Sequence, residues 1–244
     1  MIEINIENVS KKYKNKYAVN NLNLKIKKGE LFALLGTNGA GKTTTIKMLT
    51  TLILPTSGSI KISGLDILKD KMKIKQIINI SPQETAIAPN LTVIENLKFM
   101  AGVYGIKNKD EKINELVSLF NLSDVLGQKA KTLSGGWQRK LSIAISLIND
   151  PKILFLDEPT LGLDVIARRE LWNIIKNLKG KITIILTTHY MEEAQSLSNR
   201  VGIMNNGNLI EIGTVEELIK KAKVKKFETA FVKLVTGGNE DENN

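Results

Sequence analysis

The chain has 244 residues, of which 42% are hydrophobic and 25% are charged, so it can build one or two packed domains and is neither disordered nor fibrous. It contains no cysteine, which excludes a disulfide framework, a thiolate nucleophile and a cysteine zinc site. It has a single histidine, His189, which argues against a metal site built from histidines. The formal net charge of +10 suits an anionic partner, but most of the basic residues are lysines, so we expect no nucleic-acid partner.

The first elements are predicted to be two antiparallel strands. Isoleucines alternate at positions 2, 4 and 6, apolar residues alternate again at positions 22, 24 and 26, and a turn-prone segment at 14–16 lies between them. The continuous apolar run 31–35 then predicts a buried parallel strand, and a helical pattern follows through Leu52. No apolar stretch is long enough to span a membrane, and the first residues do not resemble a signal peptide.

The remaining pattern predicts an α/β fold with an inserted helical region. Apolar strands are expected at 77–80, 153–156, 182–186 and 201–204, whereas 82–149 is helical almost throughout. We therefore predict a P-loop NTPase (RecA-like) core at 1–82 and 149–214 with an antiparallel β subdomain, and a helical subdomain at 83–148. A short extension, 215–244, begins with a helix at 215–223 and ends in a frayed acidic segment from Gly237 to Asn244.

A phosphate-binding loop follows the strand at 31–35. Residues 36–43 read G-T-N-G-A-G-K-T, which matches the pattern G-x-x-x-x-G-K-T between a strand and a helix. In such a loop the backbone amides and the helix N-terminus face phosphate oxygens, Lys42 reaches the terminal phosphates, and the Thr43 hydroxyl coordinates Mg²⁺. We predict that ATP is bound here by Gly36, Asn38, Gly39, Gly41, Lys42, Thr43 and Thr44.

Two carboxylates end the apolar strand at 153–156. Asp157 is expected to hold Mg²⁺ through water, and Glu158, one residue further along, is expected to polarise the attacking water. A strand that ends in Asp-Glu is a weak signal alone, because a surface turn reads the same way. Together with the phosphate loop it indicates nucleotide hydrolysis.

A second anion-facing turn lies in the predicted helical subdomain. Ser134, Gly135 and Gly136 open an apolar helix, and this turn suits a phosphate that another chain presents. With these motifs, the sequence from Ile4 to about Thr214 resembles the ATPase subunits of ABC transporters.

The resemblance implies roles for further residues. Tyr13 would stack on adenine, and Gln83 would touch Mg²⁺ and sense the membrane partner. Residues 161–164 would form the D-loop of a dimer, and His189 would contact the γ-phosphate.

Two positions depart from the family pattern. Trp137 stands where the family usually has glutamine, although large apolar residues occur there in the drug-exporter branch, and Asn199 replaces a more common aspartate, which we expect to alter only a structural contact. Residues 227–237 are similar to the closing segment of exporter-type subunits. The resemblance therefore favours export.

The leading hypothesis is an ATP-hydrolysing subunit, peripheral on the cytoplasmic face of the membrane, that powers a separate transmembrane permease. It would act as a homodimer or pseudo-dimer with ATP between one phosphate loop and the other chain's Ser134 turn. The alternative is a soluble ABC-type ATPase acting on nucleic acid or the ribosome. The segment 84–104 contains the apolar residues Ile87, Ala88, Pro89 and Leu91, which we expect to be exposed, and a capping box from Thr92 to Glu95. It is the predicted contact with the permease unless those apolar residues pack under the helical subdomain.

Overall fold

A computed structural model describes residues 1–237. Residues 238–244 lie outside the described residues, and with them nearly all of the acidic end that was predicted to be frayed.

The alternating apolar residues at the start form an antiparallel sheet, as predicted. β1 (Ile2–Tyr13) pairs with β2 (Lys16–Lys27), and the sheet continues on the other side of β1 through β4 (Ser57–Ile62) and β5 (Leu65–Asp66), in the order β2-β1-β4-β5. Strands β4 and β5 are not predicted from the sequence, because only two alternating isoleucines, Ile60 and Ile62, mark β4, and β5 has only two residues.

The second sheet has six strands in the order β10-β9-β3-β8-β7-β6. Its strands are β3 (Leu31–Gly36), β6 (Ile78–Ser81), β7 (Ile153–Asp157), β8 (Thr183–Thr188), β9 (Arg200–Asn205) and β10 (Asn208–Gly213). All neighbours are parallel except β10, which runs antiparallel to β9. The carboxyl ends of β3, β6, β7 and β8 therefore meet at one edge, where α/β sheets bind their ligands.

The helices connect these strands and cover the second sheet. They are α1 (Lys42–Leu49), α2 (Lys71–Ile77), α3 (Val93–Val103), α4 (Lys109–Phe120), α5 (Gly135–Ser146), α6 (Val165–Leu178), α7 (Met191–Leu197), α8 (Val215–Ala222) and α9 (Phe227–Thr236). Within residues 1–237, no helix has both the length and the apolar character that crossing a bilayer requires.

Several predicted boundaries are wrong. The helix after the phosphate loop ends at Leu49, and Leu52 lies outside it with 61% of its surface exposed. Residues 82–149 are not helical throughout, since 82–92 and 121–134 contain no α-helix. Helix α8 stops at Ala222 because Lys223 adopts a left-handed conformation, with φ of 56°. The predicted division of the chain at residues 82 and 149 stays a prediction.

The large sheet is buried on both faces, as its continuous apolar run predicted. Along β3, Leu31, Ala33 and Leu35 belong to the apolar cluster that includes α3, α4 and α5, whereas Phe32 and Leu34 belong to the cluster under the antiparallel sheet. Successive side chains of a strand point to opposite faces, so β3 joins the two cores. This packing fixes the loop that follows β3.

Candidate functional site

The phosphate loop forms the floor of a cleft of about 420 Å³ at the carboxyl edge of the large sheet. The cleft is lined by Ala18, Asn38, Gly39, Ala40, Gly41, Lys42, Thr43, Thr44, Gln83, Glu158, Leu161 and His189. Gly41 has a φ of 104°, and a Cβ atom there would lie 2.5 Å from the Ala18 carbonyl oxygen. Only glycine fits such a position, so the glycine pattern reflects both backbone conformation and a close approach by β2.

The Lys42 side chain folds back over its own loop and is almost fully buried, at 4% exposed. Its Nζ donates to the carbonyl oxygens of Gly36 at 2.8 Å and Thr37 at 3.1 Å, and lies 3.4 Å from Glu158 Oε1. Phosphate oxygens are strong acceptors for an ammonium group. A triphosphate entering the cleft would therefore compete with Glu158 for Lys42.

Asp157 is held beside the first residues of α1. Its Oδ1 accepts hydrogen bonds from the Thr43 hydroxyl at 3.2 Å and from the Thr187 hydroxyl of the neighbouring strand β8. A carboxylate and a hydroxyl next to each other are the hard oxygen ligands that Mg²⁺ prefers. These residues fit the predicted ion, and Gln83 lines the same cleft.

Glu158 and His189 form a direct pair. His189 Nδ1 lies 2.9 Å from Glu158 Oε2, although 31 residues separate them in the chain. Glu158 has a φ of 49°, in the left-handed region, and its backbone amide donates to the Thr187 carbonyl and hydroxyl oxygens, each at 3.1 Å. Strained backbone of this kind is often found at functional sites. Here it points the carboxylate into the cleft rather than along the strand.

Gln83 lines the cleft at the start of the loop that leads to α3. One buried amide secures this loop: Asn96 of α3 accepts from the Ala88 amide at 2.8 Å and donates to the carbonyl oxygens of Ala88, Leu91 and Thr92 at 3.1, 3.3 and 2.9 Å. The capping box that the sequence predicted is present, formed by Thr92 and Glu95.

The expectation that Ile87 and Leu91 are exposed is wrong. Both are half-buried, and Ile87 packs against the core cluster that includes α3 and α5. The apolar side chains exposed nearby are instead Leu52, Phe99, Val103 and Tyr104. Leu52 and Tyr104 line a groove of about 270 Å³ together with residues of β6.

Tyr13 lines a second cavity, of about 260 Å³, that adjoins the phosphate cleft. The two cavities share Ala18 and Gly39, so a nucleotide base beside Tyr13 would be continuous with phosphates in the loop. Tyr17 and Asn206, which are not predicted from the sequence, line the same cavity. An aromatic residue four positions after Tyr13 was the available signal for Tyr17, whereas Asn206 arrives from a distant turn.

The turn at Ser134, Gly135 and Gly136 does not line the cleft of its own chain. Ser134 and Gly135 are exposed, and Ser134 is the N-cap of α5 without a side-chain capping bond. The start of α5 therefore presents free backbone donors to solvent. These three predicted site residues therefore do not contact a nucleotide in their own chain's cleft.

A buried carboxylate behind the site escaped the sequence analysis. Glu193 of α7 is fully buried and accepts from the Thr160 hydroxyl at 2.8 Å and the Trp172 indole at 3.0 Å. Burial raises the pKa of the Glu193 carboxyl, which these hydrogen bonds only partly oppose. Through Thr160 and Trp172, Glu193 joins the helix after His189 to the segment after Glu158.

The two unusual residues make structural contacts. The Trp137 ring is half-buried under Lys140, whose Nζ lies 4.3 Å from the ring centroid and 2.8 Å from Glu170 of α6. Asn199 Oδ1 accepts from the Leu31 amide at 2.9 Å, so it fixes the start of β3 and lies outside the cleft, as expected for a structural position.

Comparisons with known proteins agree with this geometry. Residues 19–161 match the family model described as ABC transporter. The chain is 40% identical over 218 residues to the linearmycin resistance ATP-binding protein LnrL of Bacillus subtilis, covering 88% of this chain and 70% of that protein. It is 36% identical to the probable multidrug ABC transporter ATP-binding protein YbhF of Escherichia coli, covering 99% of this chain and 43% of that protein. The chain thus spans less than half the length of several relatives that it matches.

A solved structure extends the likeness to the fold. The dimeric ATP-binding cassette MJ0796, in a post-hydrolysis state bound to ADP and Pi, matches with a TM-score of 0.78 and 27% identity over 86% of this chain and 98% of that chain. The mixed α/β fold with one antiparallel and one largely parallel sheet is therefore that of the ATP-binding cassettes, which confirms the predicted fold class.

Proposed function

The chain belongs to the ABC transporter family, as an ATPase cassette, and we propose that it binds and hydrolyses ATP to power transport through a separate membrane subunit. The observation that carries the proposal is that one cleft is lined by the phosphate loop, Thr43, Gln83, Glu158 and His189. Asp157 accepts a hydrogen bond from Thr43, and His189 contacts Glu158. These segments come from the ends of four adjacent parallel strands. Together they provide a triphosphate cradle, ligands for a metal ion and a carboxylate for water.

The binding step follows from the contacts around Lys42. The loop amides and the α1 N-terminus receive the phosphates, and Lys42 exchanges its contact with Glu158 for the terminal phosphate oxygens. Tyr13 supports the adenine. Mg²⁺, when bound by Thr43, Asp157 and Gln83, supplies charge neutralisation for the triphosphate.

The hydrolytic step is assigned to Glu158 and His189. Glu158, released from Lys42, accepts a proton from the attacking water, and His189 orients the carboxylate through its Nδ1 contact before turning toward the γ-phosphate. The phosphate-facing groups are those of the loop and Lys42, and Glu158 is assigned to the water. A change at Glu158 should therefore stop hydrolysis while binding survives.

We propose a head-to-tail dimer, either of two identical chains or of this chain with a similar one. The turn at Ser134 to Gly136 is exposed and lies outside its own cleft, so a partner's γ-phosphate is the anion that it suits. Hydrolysis removes that shared phosphate, which separates the two chains.

The membrane subunit is proposed to contact the groove between Leu52 and Tyr104, replacing Ile87 and Leu91 as the predicted contact. The groove has a mainly apolar lining that includes Leu52, Ile78, Ile80 and Tyr104, and its β6 residues lead directly to Gln83. Phe99 and Val103 of α3 are also exposed. A partner seated here would detect movement of Gln83. We place this contact on the cytoplasmic face of the cell membrane and favour export, because LnrL and YbhF are named for drug resistance and multidrug transport.

The function is tested with Glu158→Gln and the matched control Glu192→Gln, an exposed glutamate on α7. Steady-state phosphate release should fall at least about 100-fold in Glu158→Gln and stay at the wild-type rate in Glu192→Gln, while a fluorescent ATP analogue binds both. Wild-type turnover by Glu158→Gln would remove Glu158 from its role. For the partner, Leu52→Glu with Tyr104→Glu should abolish co-purification of a membrane protein, whereas Met72→Glu, also exposed, should not.

A further inference from the structure

Arg139 is a buried cation that the predicted chemistry does not use. It lies on α5, four residues after Gly135, and is 4% exposed. Its guanidinium donates to the carbonyl oxygens of Pro82 and Gln83, each at 2.6 Å, and one of its nitrogens lies 3.5 Å from the carbonyl oxygen of Glu158. One side chain thus contacts the backbone of two catalytic segments that are more than 70 residues apart in the chain.

The contacts of Arg139 are unusual for a buried arginine. Its hydrogen-bond acceptors are main-chain carbonyl oxygens, and it forms no salt bridge among the described residues. Burial lowers the pKa of the guanidinium, opposed by the charges of Asp157 and Glu193. Burying a charged group costs free energy unless hydrogen bonds or an opposite charge compensate for the lost water. A planar fork with donors at fixed angles can hold two consecutive carbonyl groups in one orientation, which a lysine cannot do.

The position of α5 gives this contact a direction. Ser134 is the N-cap of α5. Two residues further along, Gly136 lies close to Ala167 of α6. One turn beyond Arg139, the hydroxyls of Ser142 and Ser81 lie 3.1 Å apart, a second tie between α5 and β6. Displacement of α5 therefore pulls on the backbone at the end of β6, where Gln83 begins.

We propose that Arg139 is a positioning residue that transmits movement of the Ser134 turn to Gln83 and Glu158 of the same chain. The proposal rests on the function proposed above. When the turn engages a nucleotide, α5 shifts, and the guanidinium carries the Pro82 and Gln83 carbonyl groups with it. The Gln83 side chain, which already lines the cleft, then turns to the orientation that hydrolysis requires, while the same cation holds the Glu158 carbonyl group.

The test uses Arg139→Lys, which keeps the charge but loses the fork, with Arg169→Lys as the matched control at an exposed position on α6. In Arg139→Lys, kcat for ATP should fall about 10- to 100-fold, the cost of slight misplacement of reacting groups, with KM and the affinity for ATP analogue unchanged. Arg169→Lys should behave as wild type. Because Arg139 acts on Gln83 as well as on Glu158, the loss of kcat in the double variant with Gln83→Ala should be smaller than the product of the two single losses.

A second variant guards against misfolding. Arg139→Gln removes the buried charge but can still donate two N–H groups to the carbonyl oxygens, so it should fold and retain more kcat than Arg139→Met. Wild-type kcat in Arg139→Lys, or multiplying losses in the double variant with Gln83→Ala, would overturn the inference. If the wild-type chain itself fails to hydrolyse ATP, the proposed function fails instead, so the two failures are distinguishable.

Discussion

Asn96→Ala tests how the loop between Gln83 and α3 is held. The substitution deletes the bond that Asn96 Oδ1 accepts from the Ala88 amide and the bonds that the two Nδ2 hydrogens share among the carbonyl oxygens of Ala88, Leu91 and Thr92, and the side chain is only 2% exposed. Each such bond contributes roughly 1 kcal/mol net, and water can reach part of the half-buried loop, so we expect a loss of about 2–4 kcal/mol in the free energy of unfolding.

The measurement is urea unfolding monitored by circular dichroism. The unfolding midpoints of the variant and wild type are compared, with the dependence of the free energy on urea concentration unchanged. The control is Asn90→Ala, in the same loop but exposed, which should change the free energy of unfolding by less than about 0.5 kcal/mol. Equal stability of Asn96→Ala and Asn90→Ala would refute the assignment of Asn96 as the residue that anchors the loop.

Three further changes probe the cleft and the groups behind it. Lys42→Ala should weaken ATP binding at least about tenfold in a calorimetric titration, since it deletes the charge that faces the terminal phosphates; unchanged affinity would argue against the loop. The raised pKa of Glu193 means that wild type loses stability as pH rises above the ordinary pKa of a glutamate, a loss that Glu193→Gln does not share. The free energy of unfolding of Glu193→Gln relative to wild type should therefore increase between pH 5 and 8, and a pH-independent difference would contradict this. Trp137 emission, isolated by subtracting the Trp137→Phe spectrum, should respond to ATP in a Glu158→Gln background, and a spectrum insensitive to ATP would count against contact near Ser134.

The Trp137 signal is better isolated by subtracting the Trp137→Phe spectrum than by substituting the other tryptophan, Trp172. Trp172 donates to Glu193 at 3.0 Å and is 6% exposed, so Trp172→Phe would leave a buried carboxylate short of a donor. Such a loss is costly in the interior. The sequence shows two tryptophans, but only the fold shows that one of them is tied to the helix behind His189.

The parts of the site that follow strands in the chain were predictable from sequence. A phosphate loop is contiguous, and its glycines, Lys42 and Thr43 are set by local geometry, while Asp157 and Glu158 end an apolar strand whose place in a parallel sheet is strongly constrained. The alternation along β1 and β2 likewise fixed an antiparallel pair, because each strand has one buried face.

The parts that depend on contacts between distant segments could not be read from sequence. Arg139 meets Pro82 across 57 positions, and no local pattern distinguishes it from a surface arginine. Ile87 and Leu91 are predicted to be exposed because they lie in a loop between two elements, but Asn96 bonds that loop to α3. The helix predicted through Leu52 ends at Leu49, where Thr50 and the positive φ of Thr51 turn the chain away.

The most direct test of a shared site is complementation between two inactive chains. Lys42→Ala disables the phosphate loop, and Ser134→Asp places a negative charge in the turn that should face the partner's phosphate. In a mixed dimer, one site carries both defects and the other carries neither, so an equimolar mixture should recover about a quarter of the wild-type ATPase rate if dimers form at random. Activity of the mixture no higher than the mean of the two separate variants would contradict a site completed by a second chain.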